Sequence, residues 1–208
     1  MVVNSQRCTS EGLALSFVWA WAPGGGLLAA AWTDAEAGGD PAPAQDHGRL
    51  HAGRRGFFGT GTPVPVPFEP RDFFLDPGCW RAPDDVPPGS VHARRVWAAL
   101  CAIPVGETRS YGQIADAIGS APRAVGQACR ANPWPLFIPC HRVVPAGGGG
   151  NGATGGYAGN RRGPLADVKA WLLAHEARAS SSGSTMSPPG QATSPCPGRP
   201  EVSRRVQE

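Results

Sequence analysis

The residues of this chain best suited to chemistry are Cys140 and His141, adjacent in the run Pro139-Cys140-His141-Arg142-Val143. A thiolate is a strong nucleophile, and an imidazole beside it is the usual group to take its proton near neutral pH. A buried cysteine next to a surface histidine would have the same sequence. On extended backbone, neighbouring side chains point to opposite faces, so His141 reaches Cys140 only across a tight turn or through a bridging water. The apolar residues 136–138 predict a short strand that delivers Cys140 at its end. Cys101, by contrast, falls in a helical pattern and reads as a small core residue. The six cysteines are irregularly spaced and include no Cys-X-X-Cys pair. That pattern points to a reduced, cytoplasmic setting rather than a disulfide framework.

Upstream, Arg123-Ala124-Val125-Gly126-Gln127-Ala128-Cys129-Arg130 sets small residues between two arginines on one predicted helix. A glycine inside a helix costs about 1 kcal/mol relative to alanine. Gly126 therefore reflects either tight internal packing or close approach of the backbone to a bulky partner, with arginines at each end for phosphates. Residues 91–178 carry ten Lys/Arg against four acids, and the rest of the chain nine against twelve. Such a basic segment fits a phosphate-rich partner, although a solvated basic face has the same composition. Glu176 follows Leu165, Val168 and Leu172 on the inward stripe of a last helix, where a lone carboxylate is costly to bury.

The elements that must hold these residues divide the chain in three. Residues 1–90 open on an uncharged stretch, 13–32, interrupted by Pro23-Gly24-Gly25-Gly26. The interruption argues against a membrane-spanning helix, and two strands joined by a turn fit better than a signal segment. Prolines at 63, 65, 67, 70, 77, 83, 87 and 88 leave room there only for short edge strands or extended pieces. Residues 91–178 are densely periodic. Val96, Trp97, Leu100 and Ile103 mark a helix ended by Pro104-Val105-Gly106. Ser110 and Gln113 form a capping-box pattern for a second helix closed by Gly119. A third helix starts near Ser120, with Pro122 in its first turn, and stops before Pro133. The near-absence of a loop between the second and third helices outlines a helix-turn-helix. Residues 179–208 lack apolar periodicity and read as a disordered tail.

Six motifs in this order, Arg109-Ser110-Tyr111, Arg123-Ala124-Val125-Gly126, Asn132-Pro133, Pro139-Cys140-His141-Arg142-Val143, Gly156-Tyr157-Ala158-Gly159 and Trp171-Leu172-Leu173-Ala174-His175-Glu176, resemble the O6-alkylguanine-DNA alkyltransferase family over about 85 residues. The resemblance implies a mixed α/β (α+β) fold. A winged helix-turn-helix DNA-binding domain (91–178) would carry the active-site cysteine, preceded by a degenerate small α/β domain (1–90). It implies DNA repair by direct reversal, in which Cys140 takes an alkyl group from O6 of guanine once per protein molecule, after the nucleotide rotates out of the stack. Catalytic roles fall on Cys140, on His141 oriented by Glu176, on Tyr111 as donor to the leaving base, and on Asn132 as a hinge. DNA-binding roles fall on Arg123 as the finger that fills the gap, on Ala124 and Gly126 in the minor groove, and on Arg109 and Arg130. The base pocket would comprise Tyr157, the backbone N–H of Ala158 and the Val143 carbonyl, with Cys129 and Trp134 as further lining. The implied partner is duplex DNA bearing O6-alkylguanine, with a monomeric protein, no membrane and no cofactor.

Three departures from the family pattern stand out. The turn between Gly119 and Arg123 is about two residues short. Residues 160–164 are an insertion that brings Arg161 and Arg162. Residues 1–90 match the family faintly, chiefly at 26–33 and 71–76. Some relatives bind zinc in that region, but no spacing among Cys8, His47 and His51 supports a site, and no metal is expected. Two other functions use the same residues: a lesion-binding sensor without transfer, and a cysteine hydrolase built on Cys140 and His141.

Overall fold

The structure, a computed structural model, describes residues 4–10, 13, 15–21, 27–34, 58–148 and 154–182. β1 (Asn4–Thr9), β2 (Leu15–Trp21), β3 (Leu27–Asp34) and β4 (Phe58–Val64) form one antiparallel sheet in that order. The expected strand pair over 13–32 is β2 and β3, with Phe17 opposite Trp32. Its Pro-Gly turn lies outside the described residues. β4 contains Pro63 and sits at the sheet edge, where a missing N–H donor is tolerated.

The proline-rich region is not wholly extended, as the sequence led us to expect. Pro70 opens a helix, α1 (Pro70–Leu75), and Pro77 opens a single 3-10 turn. In both, proline occupies the first turn, where its N–H would have had no partner. Phe73 of α1 is fully buried.

In the second half, Ser90 caps α2 (Val91–Cys101) by accepting from the Ala93 N–H, and Ala93, Val96, Trp97 and Leu100 are buried. Ile103 stays buried just beyond the helix end. α3 (Tyr111–Ile118) has the full capping box of Ser110 and Gln113 and ends on Gly119 at φ +61°. α4 (Pro122–Arg130) follows almost at once. The Trp97 indole N–H donates to the Ala128 carbonyl at 2.9 Å and ties α4 to α2.

Residues 136–138 do not form the expected strand. They make a tight turn with Leu136 at φ +75° and the Ile138 N–H bonded to the Trp134 carbonyl. Prolines 133, 135 and 139 lack the donors a strand would need, so the apolar run folds on itself. Cys140, His141 and Arg142 form one 3-10 turn, and β6 (Val143–Val144) pairs in parallel with β5 (Arg109–Ser110) after the cysteine rather than before it.

α5 (Pro164–Ser182) buries Leu165, Val168, Leu172 and Glu176, as the periodicity predicts. It runs past residue 178. Ser180 bonds back to the Glu176 carbonyl and packs where Gly106, at φ +79°, leaves space for it. The expected disordered tail beyond Ser182 lies outside the described residues. Among the described residues, no helix is long and apolar enough to cross a membrane.

The fold is thus mixed helix and sheet around one apolar core. Phe17 meets Trp32 at 4.9 Å between ring centres, and Phe68 meets Phe137 at 5.0 Å. The second contact packs the amino-terminal half directly against the cysteine loop.

Candidate active site

Cys140 stands at the start of the 3-10 turn and is 6% exposed. It opens on a cleft of about 850 Å³ whose walls include Tyr111, Gly126, Cys129, Tyr157 and Arg161. Asn132 holds the thiol in place. Its amide nitrogen donates to the Cys140 sulfur at 3.2 Å and to the Ile138 carbonyl at 2.9 Å, while its oxygen accepts from the Trp134 N–H at 3.0 Å. Burial pushes the Cys140 thiol above its ordinary range, and the Asn132 amide and the nearby Lys169 pull it back. The resting group is therefore a thiol that needs a base.

The next two residues of the same turn face away from the cleft. His141, Arg142 and Glu176 are all fully buried. The His141 Nε2 lies 2.9 Å from Glu176 Oε1. Arg142 grips both oxygens of that carboxylate at 2.9–3.2 Å and also donates to the Ile103 carbonyl. The Gly106 N–H donates to Glu176 Oε2 at 3.0 Å, and the Arg142 guanidinium lies 4.1 Å from the centre of the Trp80 ring. The neighbouring His141 and Arg142 hold the Glu176 carboxyl down at about 2, against the opposing effect of its burial. Burial drives His141 below its ordinary value, more than Glu176 raises it, so the ring is neutral at neutral pH. A carboxylate can only accept, which puts the ring proton on Nε2. Nδ1 is left as a buried lone pair with no hydrogen-bond partner among the described residues.

Opposite Cys140, Tyr157 and Asn160 close a tight turn with paired backbone bonds of 2.8 and 2.9 Å. Ala158 at its corner has φ +47°, and the Asn160 side chain bonds to the Ala158 carbonyl. Gly159 lies under the Arg130 guanidinium, where a Cβ would meet Arg130 Nε at 2.7 Å. Lys169, fully buried, joins the two sides. Its ammonium donates to the Val143 carbonyl at 2.5 Å and to the Gly156 carbonyl at 3.3 Å, and sits 5.8 Å from the centre of the Tyr111 ring.

The structure brings together Cys140, Asn132, Cys129, Tyr111, Gly126, Tyr157 and Ala158 around the cleft and its inner end. It seals His141 and Glu176 behind Cys140. Arg123 is exposed on the first turn of α4, and Ala124 is half-buried. Arg109 is paired with Glu107 at 2.9 Å. Trp134 is a buried core residue outside the cleft lining. The Val143 carbonyl is already a partner of Lys169. Gly126 has only ordinary contact behind it, since a Cβ would lie 3.9 Å from Tyr111. The short turn places α4's first residue, Pro122, directly before Arg123, and Arg161 and Arg162 of the insertion are exposed at the cleft wall. Among the described residues no group of His, Cys, Asp and Glu could hold a metal, and His47 and His51 lie outside them.

Residues 91–178 match the family described as 6-O-methylguanine DNA methyltransferase, DNA binding domain. The matched segment is less than half of the 208-residue chain. A constitutive methylated-DNA–protein-cysteine methyltransferase of Bacillus subtilis is 49% identical over 87 residues, 41% of this chain and 48% of the relative. A methylated-DNA–protein-cysteine methyltransferase of Mycolicibacterium paratuberculosis is 48% identical over 100 residues, 47% of this chain and 55% of the relative. The chain thus spans about half the length of the curated relatives it matches. A solved Mycobacterium tuberculosis O6-methylguanine methyltransferase aligns with 86% of this chain and 94% of its own, at 29% identity and TM-score 0.48.

Within the family segment, sequence reasoning passed over Lys169 and Arg142. Lys169 carried a visible signal: it occupies the apolar stripe of α5 between Leu165 and Leu172, at helical spacing. Arg142 was quoted within the cysteine motif, but its partner Glu176 is 34 residues away, and local pattern gives no sign of the pairing.

Proposed function

We propose that this protein repairs DNA by taking an alkyl group from O6 of guanine onto Cys140, irreversibly and once per molecule. The observation that carries the reading is the placement of Cys140. Its sulfur faces an open cleft and accepts from Asn132 at 3.2 Å, while the next residue of the same turn, His141, is paired with the buried Glu176. The match of residues 91–178 to the 6-O-methylguanine DNA methyltransferase DNA-binding-domain model supports the same reading.

In this reading α3 and α4 act as the helix-turn-helix of a winged DNA-binding domain. α4 enters the minor groove with Ala124 and Gly126 against the backbone, and Arg123 fills the gap left by the extruded nucleotide. Arg161 and Arg162 add phosphate contacts beside the cleft. The base lies between Tyr157 and Tyr111, with the Ala158 N–H toward O6. Neutral His141 accepts the thiol proton at Nδ1, directly or across one bridging water, and Glu176 stabilises the resulting imidazolium. The Cys140 sulfur then attacks the alkyl carbon opposite O6. An S–C bond forms, the C–O6 bond breaks with its electron pair going to guanine, and Tyr111 supplies a proton or hydrogen bond to the leaving base. The thioether has no route back to the thiol, so the protein is consumed. The reading places the work in the cytoplasm.

The test is to mix the protein with a duplex containing O6-methylguanine and measure the intact mass. One added CH2 per molecule, absent in Cys140→Ser, is the expected result. Duplex binding without a mass change would instead indicate a lesion sensor. Repeated cleavage of a thioester without a mass change would indicate a hydrolase.

A further inference from the structure

Beside Cys140 the cleft ends in a small side cavity with about 10 Å³ of free space, room for about one water-sized group. Cys129, Cys140, Tyr157 and Ala158 line both spaces, so the cavity is the inner end of the cleft. Asn132 and Pro135 complete its walls, and one further wall comes from outside the family segment: Trp32, on β3 of the amino-terminal sheet. Trp32 is 1% exposed and firmly held. Phe17 packs edge-on at 4.9 Å and Phe74 lies at right angles at 6.1 Å. Its indole N–H donates to the Tyr157 hydroxyl at 3.3 Å, which links the sheet to the turn that covers the cleft.

We propose that Trp32 sets the size of the group that Cys140 accepts, closing the inner end of the cleft so that a methyl group fits and longer alkyl chains do not. The inference rests on the alkyl-transfer reading above. A guanine entering from the open side presents its O6 substituent toward the Cys140 sulfur. In-line attack sets the sulfur and O6 on opposite sides of the first carbon, so the rest of a longer chain leaves that carbon sideways, into the space beside the sulfur that Trp32 bounds. A longer chain has to displace an indole that is packed on two aromatic rings and bonded to Tyr157. The amino-terminal sheet thereby acts in substrate choice, although the chemistry and the DNA contacts belong to the other half of the chain.

The experiment compares transfer rates, by intact mass, from duplexes carrying O6-methylguanine or O6-n-butylguanine to the full-length wild type, Trp32→Ala and Trp32→Phe. Trp32→Ala is expected to raise the butyl-to-methyl rate ratio by about tenfold or more, on the scale of a few methylene groups in an apolar pocket. Trp32→Phe, which keeps an aromatic ring in the core, is expected to raise it by a smaller step and decides the matter if the alanine variant does not fold. A ratio equal to wild type in the folded variants, including the case where both rates fall together, overturns the proposal. Absence of any methyl transfer by the wild type is a separate result and overturns the underlying repair reading.

Discussion

One 3-10 turn serves two regions of opposite character. On its cleft side the Cys140 sulfur has, among the described residues, a single side-chain donor, Asn132, and burial raises its thiol above the ordinary range. On its core side the Glu176 carboxylate is bonded by His141, by Arg142 through three contacts and by the Gly106 N–H, and stays ionised down to about 2. The first region is held short of full stabilisation and open; the second is satisfied and sealed. Reactivity belongs where a charged form is not yet stabilised. Orientation belongs where the carboxylate is already bonded on both oxygens. His141 belongs to the core side through Nε2, and its buried Nδ1 has no partner among the described residues.

The comparison is broken most completely by removing one region while sparing the other. Cys140→Ala abolishes transfer, yet shifts stability by only about 1 kcal/mol, because the lost partner is one weak acceptor. Equilibrium urea unfolding beside an intact-mass assay checks both halves. Glu176→Ala does the reverse first. It leaves Arg142 buried without its counter-charge and lowers stability by about 3–5 kcal/mol, and it also slows transfer through misorientation of His141. An unchanged unfolding midpoint would mean that the Arg142–Glu176 pair contributes nothing.

The two regions also separate by pH. The folded-state value of Glu176 lies below its ordinary 4.5, and that of His141 below its ordinary 6.5. Both groups bind protons more readily in the unfolded chain, so acid removes stability. The His141 contribution starts to fall below pH 6.5, and that of Glu176 is lost from 4.5 down to about 2. Thermal melts across this range should decline in those two steps. The transfer rate should stay flat from about pH 7 to 8.5, because a neutral imidazole serves the thiol throughout. A rate that climbs about tenfold per pH unit over the same range would show attack by the free thiolate without His141.

The smallest expected effect concerns the cleft wall. Gly126→Ala adds a methyl with only ordinary contact to Tyr111, so stability should rise by up to ~1 kcal/mol. Binding to duplex DNA should weaken nonetheless, if the bare backbone is there for the partner rather than for internal packing. Fluorescence anisotropy and a thermal melt on one sample measure both signs. Loss of stability on this substitution would assign Gly126 to packing.

Much of this arrangement was legible in the sequence. The Ser110–Gln113 capping box, Gly119 and the inward stripe of α5 are local patterns, and local hydrogen bonding and periodicity fix them. The approach to Cys140 was misread as a strand because residues 136–138 are apolar, whereas three prolines and the Asn132 side chain dictate a turn. The turn in turn resolves how adjacent residues can serve a cleft and a core at once. The ties of Arg142 to Glu176, of Lys169 to Val143 and Gly156, and of Trp32 to Tyr157 join residues up to 125 positions apart. No local pattern encodes such pairs; they follow from how the halves pack.

The central claim is that, of the two thiols lining the cleft, Cys140 is set apart from Cys129 by the Asn132 amide that donates to its sulfur. Cys8, Cys101 and Cys129 are also free thiols, and burial pushes Cys101 up to about 12 and raises Cys129 too. The direct measurement is peptide mapping after exposure to an excess of O6-methylguanine duplex. The account predicts one methyl per molecule, all of it on Cys140, with no further reaction. Methyl groups shared with Cys129, or more than one equivalent of lesion repaired per protein, would contradict it.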